Sequence, residues 1–293
     1  MPELPEVETM RRGIEPIVGS TIRSVSCPPC DRRPIQITPS IDQIDQRLRG
    51  KRIIKVARRG KRILLGVEDD QWLVIEPRMT GLMLLVEPPT TAHLRLRIEL
   101  VNGELADDES ANSEVLFWDR RGLGTVRLYS QEESAIIIGT SKIGRDALEI
   151  TRDELREQLA RSRRAIKVAL LDQKHVAGIG NLYAAEILHL AEVDPRTRCD
   201  RLSKPQWTRI HQSISHVLRD AILHEGSTLS DGTYRNALNA DGGYQNHHRV
   251  YDREDHPCPR CREGIIRRIV QAQRSTFFCP RCQRRSGRSS SLA

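Results

Sequence analysis

The sequence predicts an α+β protein: an N-terminal helix on an antiparallel β-sandwich domain, then a helical domain ending in a small β-hairpin. Three observations carry that expectation. Apolar residues in the first eighteen positions recur at helical spacing. Short β-like runs separated by turn residues fill the chain to about residue 130. Beyond residue 150 the pattern is helical, until two cysteine pairs bracket a last pair of β-like runs. At 293 residues there is room for two domains with separate cores.

The first helix rests on Leu4, Val7, Met10, Ile14, Ile17 and Val18, and Gly19 is its stop. The β-like runs are Thr21–Ser26, Ile53–Ala57, Arg62–Val67, Trp72–Ile75, Leu82–Val86, Leu94–Leu100, Val115–Trp118 and Thr125–Tyr129. The character changes near Gly139–Asp146. Thr151 and Glu154 then form a capping box, with Thr151 as N-cap. Further helices are expected at Ala165–Gln173, Asn181–Leu190, Lys204–Leu223 and Gly232–Leu238, punctuated by Pro195 and Gly226. The tail returns to β at Gly264–Gln271 and Ser275–Cys279. The expected domains are 1–130 (helix and sandwich), 131–255 (helical), 256–285 (cysteine module) and 286–293, a Ser/Arg-rich tail expected to be disordered. No internal repeat is visible.

Composition narrows the partners. Hydrophobic residues make up 38% and charged residues 29%, and no run of about 18 apolar residues could span a membrane. The start of the chain lacks the basic and apolar regions of a signal peptide. A net charge of +8 raises the odds of a polyanionic partner. The charge is uneven: Cys258 to Arg288 holds nine arginines and one acid, Glu263, whereas Glu104–Glu114 is acidic and reads as a solvated loop. Seven cysteines, an odd number with no secretion signal, point to a reducing compartment.

Two motifs carry chemistry. The first nine residues read MPELPEVET. With Met1 removed, Pro2 would present a secondary amine beside the Glu3 carboxylate. Attack of that amine on a sugar aldehyde carbon gives a permanently cationic iminium, an electron sink. The alternative is that Pro2 merely begins a helix whose first turn favours acids. The second motif is Cys258-x2-Cys261 with Cys279-x2-Cys282, seventeen residues apart, within the spacing for one tetrahedral structural zinc. Four thiolates close the coordination sphere, and metal binding would supply most of so small a module's folding energy. Arg267, Arg268 and Arg274 on the hairpin suit bidentate phosphate contact. Cys27 and Cys30 enclose two prolines and read as incidental cysteines in a loop.

MPELPEVET, the stretch AIKVALLDQKHVAGIGNLYAAEIL (Ala165–Leu188) and QRSTFFCPRC (Gln273–Cys282) together resemble the formamidopyrimidine-DNA glycosylase family, in that family's order along nearly the whole chain. The resemblance implies a helix–two-turns–helix in the helical domain and a zinc-ribbon hairpin. It makes Pro2 the nucleophile at C1′ of the damaged nucleotide and Glu3 the proton handler. A terminal α-amine has a pKa near 8 against about 10.4 for lysine, so more of it is unprotonated at neutral pH. Lys61 is implied at the damaged nucleotide's phosphate and in β-elimination. Arg274 is implied to grip phosphates and serve δ-elimination. Lys167 and Asn181 are further DNA-backbone contacts, Asn181 opening a helix whose free N–H groups suit a phosphate. His93 sits near a family histidine contact.

The enzyme the resemblance implies extrudes its target nucleotide and fills the gap with side chains. Met79 fits the first, and Arg121 and Leu123 in Asp119–Gly124 fit the others. Leu123 stands where the family has phenylalanine, and Gly122 replaces a residue that is usually basic. Leucine can wedge but gives up aromatic stacking. Gly226–Gln245 corresponds to the loop over the flipped base, and its Gly, Ser and Thr content suits a mobile lid.

The reading is therefore a monomeric base-excision-repair enzyme, bacterial in type, cytoplasmic and nucleoid-associated. It would act on double-stranded damaged DNA, with one structural zinc and no membrane association. It would remove oxidised purines (8-oxoguanine, formamidopyrimidines) through a Pro2 Schiff base and nick the strand by β,δ-elimination. The rivals are an endonuclease VIII-type enzyme for oxidised pyrimidines and a non-catalytic zinc-ribbon DNA-binding protein. Leu4 speaks against the former, which usually has glycine there.

Overall fold

A computed structural model describes residues 2–101, 113–130, 132–133 and 143–284. Met1, most of the acidic stretch, the 139–142 part of the change in character, Arg285 and the tail lie outside these residues. The chain divides into two compact units: Met1–Ser141 with Ala221–Gln245, and Lys142–Asp220 with Asn246–Ala293.

The first unit is built on two sheets. The elements, in chain order, are α1 (Leu4–Gly13), β1 (Thr21–Ser26), β2 (Gln36–Thr38), α2 (Ile41–Leu48), β3 (Ile53–Arg59), β4 (Arg62–Val67), β5 (Gln71–Glu76), β6 (Gly81–Leu84), β7 (Leu94–Val101), β8 (Ser113–Asp119) and β9 (Thr125–Tyr129). One sheet has the order β1-β7-β8-β6, and the other β2-β9-β5-β4-β3. Pairing is antiparallel except between β2 and β9. Alternation of apolar and polar residues sets the register: in β7, Leu94, Leu96, Ile98 and Leu100 all face the core. That core also takes Val7, Met10, Ile14 and Ile17 from the α1 segment, and Tyr234 and Ala237 from the second piece of the unit.

Two elements of the first unit were not expected from the sequence. The helix α2 has its own capping box, with Ser40 accepting from Gln43 N–H, and it buries Ile44 and Leu48. The short strand β2 exists because β9 offers it an edge. The expected helix at Gly232–Leu238 does not form. Asn236 instead folds the backbone back on itself: its Oδ1 accepts from Leu238 N–H at 3.0 Å and Ala240 N–H at 2.9 Å. A side chain that bonds its own backbone competes with a helix.

The second unit holds β10 (Arg145–Asp146), α3 (Arg152–Leu159), α4 (Ile166–Leu170), β11 (Val176–Ala177), α5 (Asn181–Leu190), most of α6 (Lys204–Leu223), β12 (Arg267–Gln271) and β13 (Arg274–Phe278). Thr151 caps α3 as expected, with Thr151 N–H donating to Glu154 Oε2 at 2.8 Å. Helix α5 is buried from Leu182 to His189. Inside it, Glu186 is fully buried, and its carboxylate accepts three successive backbone N–H groups, from Arg249 (2.9 Å), Val250 (2.9 Å) and Tyr251 (2.8 Å). Those bonds offset part of its desolvation, which still leaves its pKa above the ordinary carboxylate value, and they fix the chain's approach to the cysteine module. No helix among the described residues is long and apolar enough to cross a membrane.

Candidate active site and metal centre

Pro2 and Glu3 are buried at the head of α1. Glu3 is the N-cap residue, and its N–H donates to Glu6 Oε2 at 2.8 Å. The other oxygen of Glu6 accepts Ser227 N–H at 2.9 Å. One carboxylate thus clamps the start of the chain to the segment 226–228. The fit leaves no slack: Gly226 has φ +78°, and a Cβ on it would lie 2.9 Å from Glu6 Cγ. Tyr234, also buried, donates its hydroxyl to Glu225 O at 3.0 Å and approaches Glu6 O at 3.4 Å. Burial, then the Glu6 charge, pushes this phenol well above its ordinary pKa, so it remains a donor. Thr228 Oγ1 donates to Tyr234 O at 2.8 Å and accepts Gly242 N–H at 2.8 Å. The segment expected to be a loose lid is cross-linked in this way.

Lys61 is half-buried in the turn between β3 and β4. Arg58 reaches both that turn and α1: its Nη1 donates to Gly60 O at 2.9 Å and its Nε to Glu8 Oε2 at 3.0 Å. Burial alone would raise the pKa of Glu8. The guanidinium groups of Arg12, Arg11 and Arg58 outweigh that and hold it below the ordinary value.

Met79 lies in the turn between β5 and β6, and Arg121 and Leu123 in the turn between β8 and β9. Asp119, fully buried, joins the two turns. Its Oδ1 accepts from the Thr80 hydroxyl and, at 3.2 Å, from Arg121 N–H. Its Oδ2 accepts Leu123 N–H at 2.8 Å and Gly124 N–H at 2.7 Å. Thr80 Oγ1 in turn accepts Arg121 N–H at 3.0 Å. Arg121 is exposed; Met79 and Leu123 are half-buried. His93 packs edge-on against Trp118, with ring centroids 5.4 Å apart. Burial, then the charges of Arg95, Arg32 and Arg120, lowers the pKa of His93.

The second unit carries the remaining candidates. The fully buried Lys167 does not present its ammonium to solvent. Its Nζ donates to Asn181 Oδ1 (2.7 Å), Ser275 O (2.9 Å) and Thr276 Oγ1 (2.7 Å). An ammonium has three protons, and three protein acceptors take them. Lys167 thus holds Asn181, at the first turn of α5, to strand β13. Asn181 Nδ2 also donates to Ser275 O at 3.0 Å. Gln173 staples the double turn before α5 by donating to Leu171 O and Ile179 O and accepting Gly178 N–H at 2.9 Å. Arg274 is exposed at the start of β13. It follows a two-residue turn in which Ala272 and Gln273 take φ of +46° and +61°. Such a turn matches the twist of a hairpin and aims the following side chain firmly.

The four cysteines converge. Their sulfurs all lie within 4.8 Å of one another, with Cys258–Cys282 and Cys261–Cys279 at 3.8 Å. A tetrahedron of zinc–sulfur bonds near 2.3 Å has edges of about 3.8 Å, so the donor set fits zinc. Gly264 N–H and Cys282 N–H donate to Cys261 and Cys279 sulfurs, as thiolates in knuckles require. His189 Nε2 lies 3.4 Å from Cys258 Sγ, and burial, then Arg260 and Arg249, brings its pKa down to about 4. The imidazole is therefore neutral and can donate one N–H to the sulfur. The module packs Val250, Ile266 and Phe277 against Ala185 of α5.

Sequence reasoning missed Glu6, Asp119, Gln173, Glu186 and His189. Each acts through backbone groups or a buried partner, which no local pattern marks. Only the spacing of Glu3 and Glu6 at a helix start could have pointed to one of them.

Comparison with known proteins agrees along the chain. Family models match at residues 1–126 (formamidopyrimidine-DNA glycosylase N-terminal domain), 143–233 (formamidopyrimidine-DNA glycosylase H2TH domain) and 255–285 (zinc finger found in FPG and IleRS). The chain is 40% identical over 286 residues to the formamidopyrimidine-DNA glycosylase of Chloroflexus aurantiacus, covering 97% of this chain and 98% of the relative. The Streptococcus mutans protein of the same name is 36% identical, with 97% of this chain and all of the relative covered. Among solved structures, the Lactococcus lactis Fpg in complex with abasic-site DNA superposes with a TM-score of 0.83 at 32% identity, over 97% of this chain and 100% of that one. A complex of LlFpg with THF-DNA and an inhibitor gives 0.84 at 34% identity, with the same coverage.

Proposed function

The chain belongs to the formamidopyrimidine-DNA glycosylase family, and on that premise we propose that it is a bifunctional base-excision-repair enzyme that excises oxidised purines from duplex DNA and then nicks the strand. The observation that carries the reading is the head of α1: Pro2 and Glu3 buried together, with the Glu3 backbone fixed by Glu6. The α1 N-terminus lowers the cost of a neutral amine there by disfavouring its protonated form. Once Met1 is removed, the free Pro2 amine attacks C1′ of the extruded nucleotide, the base leaves, and opening of the sugar ring at C1′–O4′ leaves a cationic iminium linking enzyme and sugar. The Glu3 carboxyl supplies and removes protons during ring opening and base loss. The iminium acidifies C2′–H, so β-elimination expels the 3′ phosphate, and δ-elimination then expels the 5′ phosphate, leaving a one-nucleotide gap. Lys61 holds the damaged nucleotide's phosphate and assists β-elimination, while Arg274 grips the flanking phosphates and serves δ-elimination.

Met79, Arg121 and Leu123 occupy the space left by the extruded base, with His93 as a nearby contact. Asn181 offers a helix N-terminus to the backbone. The four cysteines would hold zinc, which supplies folding energy to the hairpin and no bond-breaking step. The working divisions are helix and sandwich (1–130), the helical part with its capping loop (131–255), the zinc module (256–285) and the tail (286–293). The protein acts as a monomer in a bacterial-type cytoplasm, on the nucleoid.

Borohydride trapping on an abasic duplex tests this. The expected result is a covalent adduct whose peptide mass places the sugar on Pro2, lost or strongly slowed by Pro2→Gly. No adduct, or one formed at full rate by the variant, ends the proposal. Faster cleavage of thymine-glycol than of 8-oxoguanine duplexes would move the substrate to oxidised pyrimidines.

A further inference from the structure

Residues 27–34 lie beside the turn that carries Arg121 and Leu123, and the chemistry above makes no use of them. Its stretch from Cys30 to Gln36 is fastened on both sides. Cys30 Sγ accepts from Arg95 Nη1 at 2.7 Å and donates to Ala92 O at 3.2 Å, while Arg95 Nε donates to Asp119 O at 2.9 Å. At the far end Gln36 N–H donates to Gly124 O at 3.3 Å, and β2 pairs with β9. Between the two fastenings, Arg33 closes on the turn itself. Gly122 has φ +61°, and a Cβ on it would lie 2.4 Å from Arg33 O. A side chain at 122 is therefore excluded by the neighbouring segment. What that segment brings instead is Arg32 and Arg33, both exposed, as Arg120 and Arg121 are, with the Arg33 carbonyl against Gly122. The charge of Arg32 is felt at His93. Cys30 thus acquires a setting: it is an anchor, and the loop it anchors carries two guanidinium groups.

We propose that Arg32 and Arg33 are DNA-backbone contacts that supply, from the adjacent segment, the positive charge that Gly122 cannot carry at the wedge turn. Guanidinium groups recognise phosphate bidentately, and their placement is set by the two fastenings rather than by chain flexibility. The contact rests on the enzyme acting on damaged duplex DNA, as argued above.

Each phosphate neutralised contributes about 0.9 to the slope of log K against log salt. Binding of the full chain to a duplex with a tetrahydrofuran abasic analogue is measured by fluorescence anisotropy across a potassium chloride series. Arg32→Ala/Arg33→Ala is expected to reduce that slope by roughly one to two and to weaken binding at least about fivefold at 0.15 M salt. Arg32→Lys/Arg33→Lys should keep the slope. A control with the same change in net charge, Arg49→Ala/Arg52→Ala, removes exposed arginines that pair with Asp45 and Glu68 and should leave it unchanged. An unchanged slope in the first variant overturns the proposal, as does an equal loss in the control. The single variants Arg32→Gln and Arg33→Gln, expected to lose about half as much each, decide the matter should the double variant not fold. Failure of the wild type to bind or cut the damaged duplex would instead sink the functional reading.

Discussion

At the scale of single residues, buried carboxylates organise the machinery. Glu6 accepts one N–H from Glu3 and one from Ser227, so both of its oxygens are committed. Glu6→Gln turns one acceptor into a donor facing an N–H and strands that group, at a cost of about 1–3 kcal/mol. The expected outcome is a melting temperature several degrees lower and a trapping rate on abasic DNA at least tenfold slower. A variant that traps at the wild-type rate would show that the clamp has no part in catalysis. Glu8 gives a prediction in pH. Its pKa lies below the ordinary value near 4.5 because the three arginines outweigh burial, so the carboxylate stabilises the fold above that value. The contribution is lost as pH falls from about 4.5 through the folded pKa. Melting temperature followed from pH 6 to pH 3 should fall less steeply in Glu8→Gln than in the wild type; parallel curves would remove Glu8 from the account.

At the scale of elements, the decisive joint is between α4, α5 and β13. Lys167→Met leaves Asn181 Oδ1, Ser275 O and Thr276 Oγ1 without their shared donor inside a closed space. The loss should be on the order of 3 kcal/mol, and affinity for abasic-analogue DNA should fall with it. Denaturant unfolding and anisotropy on the same variant check both; an unaltered stability would mean that the ammonium is not the joint. The elements themselves were largely legible. Alternation and turn residues marked eight of the nine sandwich strands among the described residues, and helical spacing marked α1, α4, α5 and α6. What escaped was α2, whose capping box Ser40–Gln43 sits in a polar stretch, and the short strands β2, β10 and β11, two or three residues long with no pattern of their own. The pattern at Gly232–Leu238 looked helical, but Asn236 spends its side chain on backbone N–H groups and prevents a helix. Cys258, Cys261, Cys279 and Cys282 were legible because metal ligands carry their geometry in their spacing. The burial of Lys167 was not legible, since it is decided by residues a hundred positions away, Ser275 and Thr276.

At the scale of the molecule, the first unit is discontinuous: Ala221–Gln245 completes the core begun by residues 1–141. Tyr234 and Ala237 are buried in that core, and Leu85 N–H donates to Ala237 O at 3.0 Å. A fragment ending at residue 141 would expose the apolar surface those residues cover. It should bind a hydrophobic dye and melt without a cooperative transition, whereas the full chain melts cooperatively. A fragment with a sharp transition would show that the sandwich closes without its second piece. The sequence put 221–245 inside the division 131–255, as the end of a helix and the capping loop, because chain order is all a sequence displays. The return of a segment to an earlier core is written only in long-range contacts such as that of Gly13 with Ala237.

Asp119 has a consequence for how this protein can change. Because one carboxylate fastens the turn of Met79 and the turn of Arg121 and Leu123, the two turns do not vary independently. A substitution in either is read by the other, so their effects are epistatic and the order in which they arise matters. Leu123 therefore stands in a turn whose backbone is held by the same carboxylate that holds the turn at 79, and its side chain cannot be repositioned without disturbing that shared fastening.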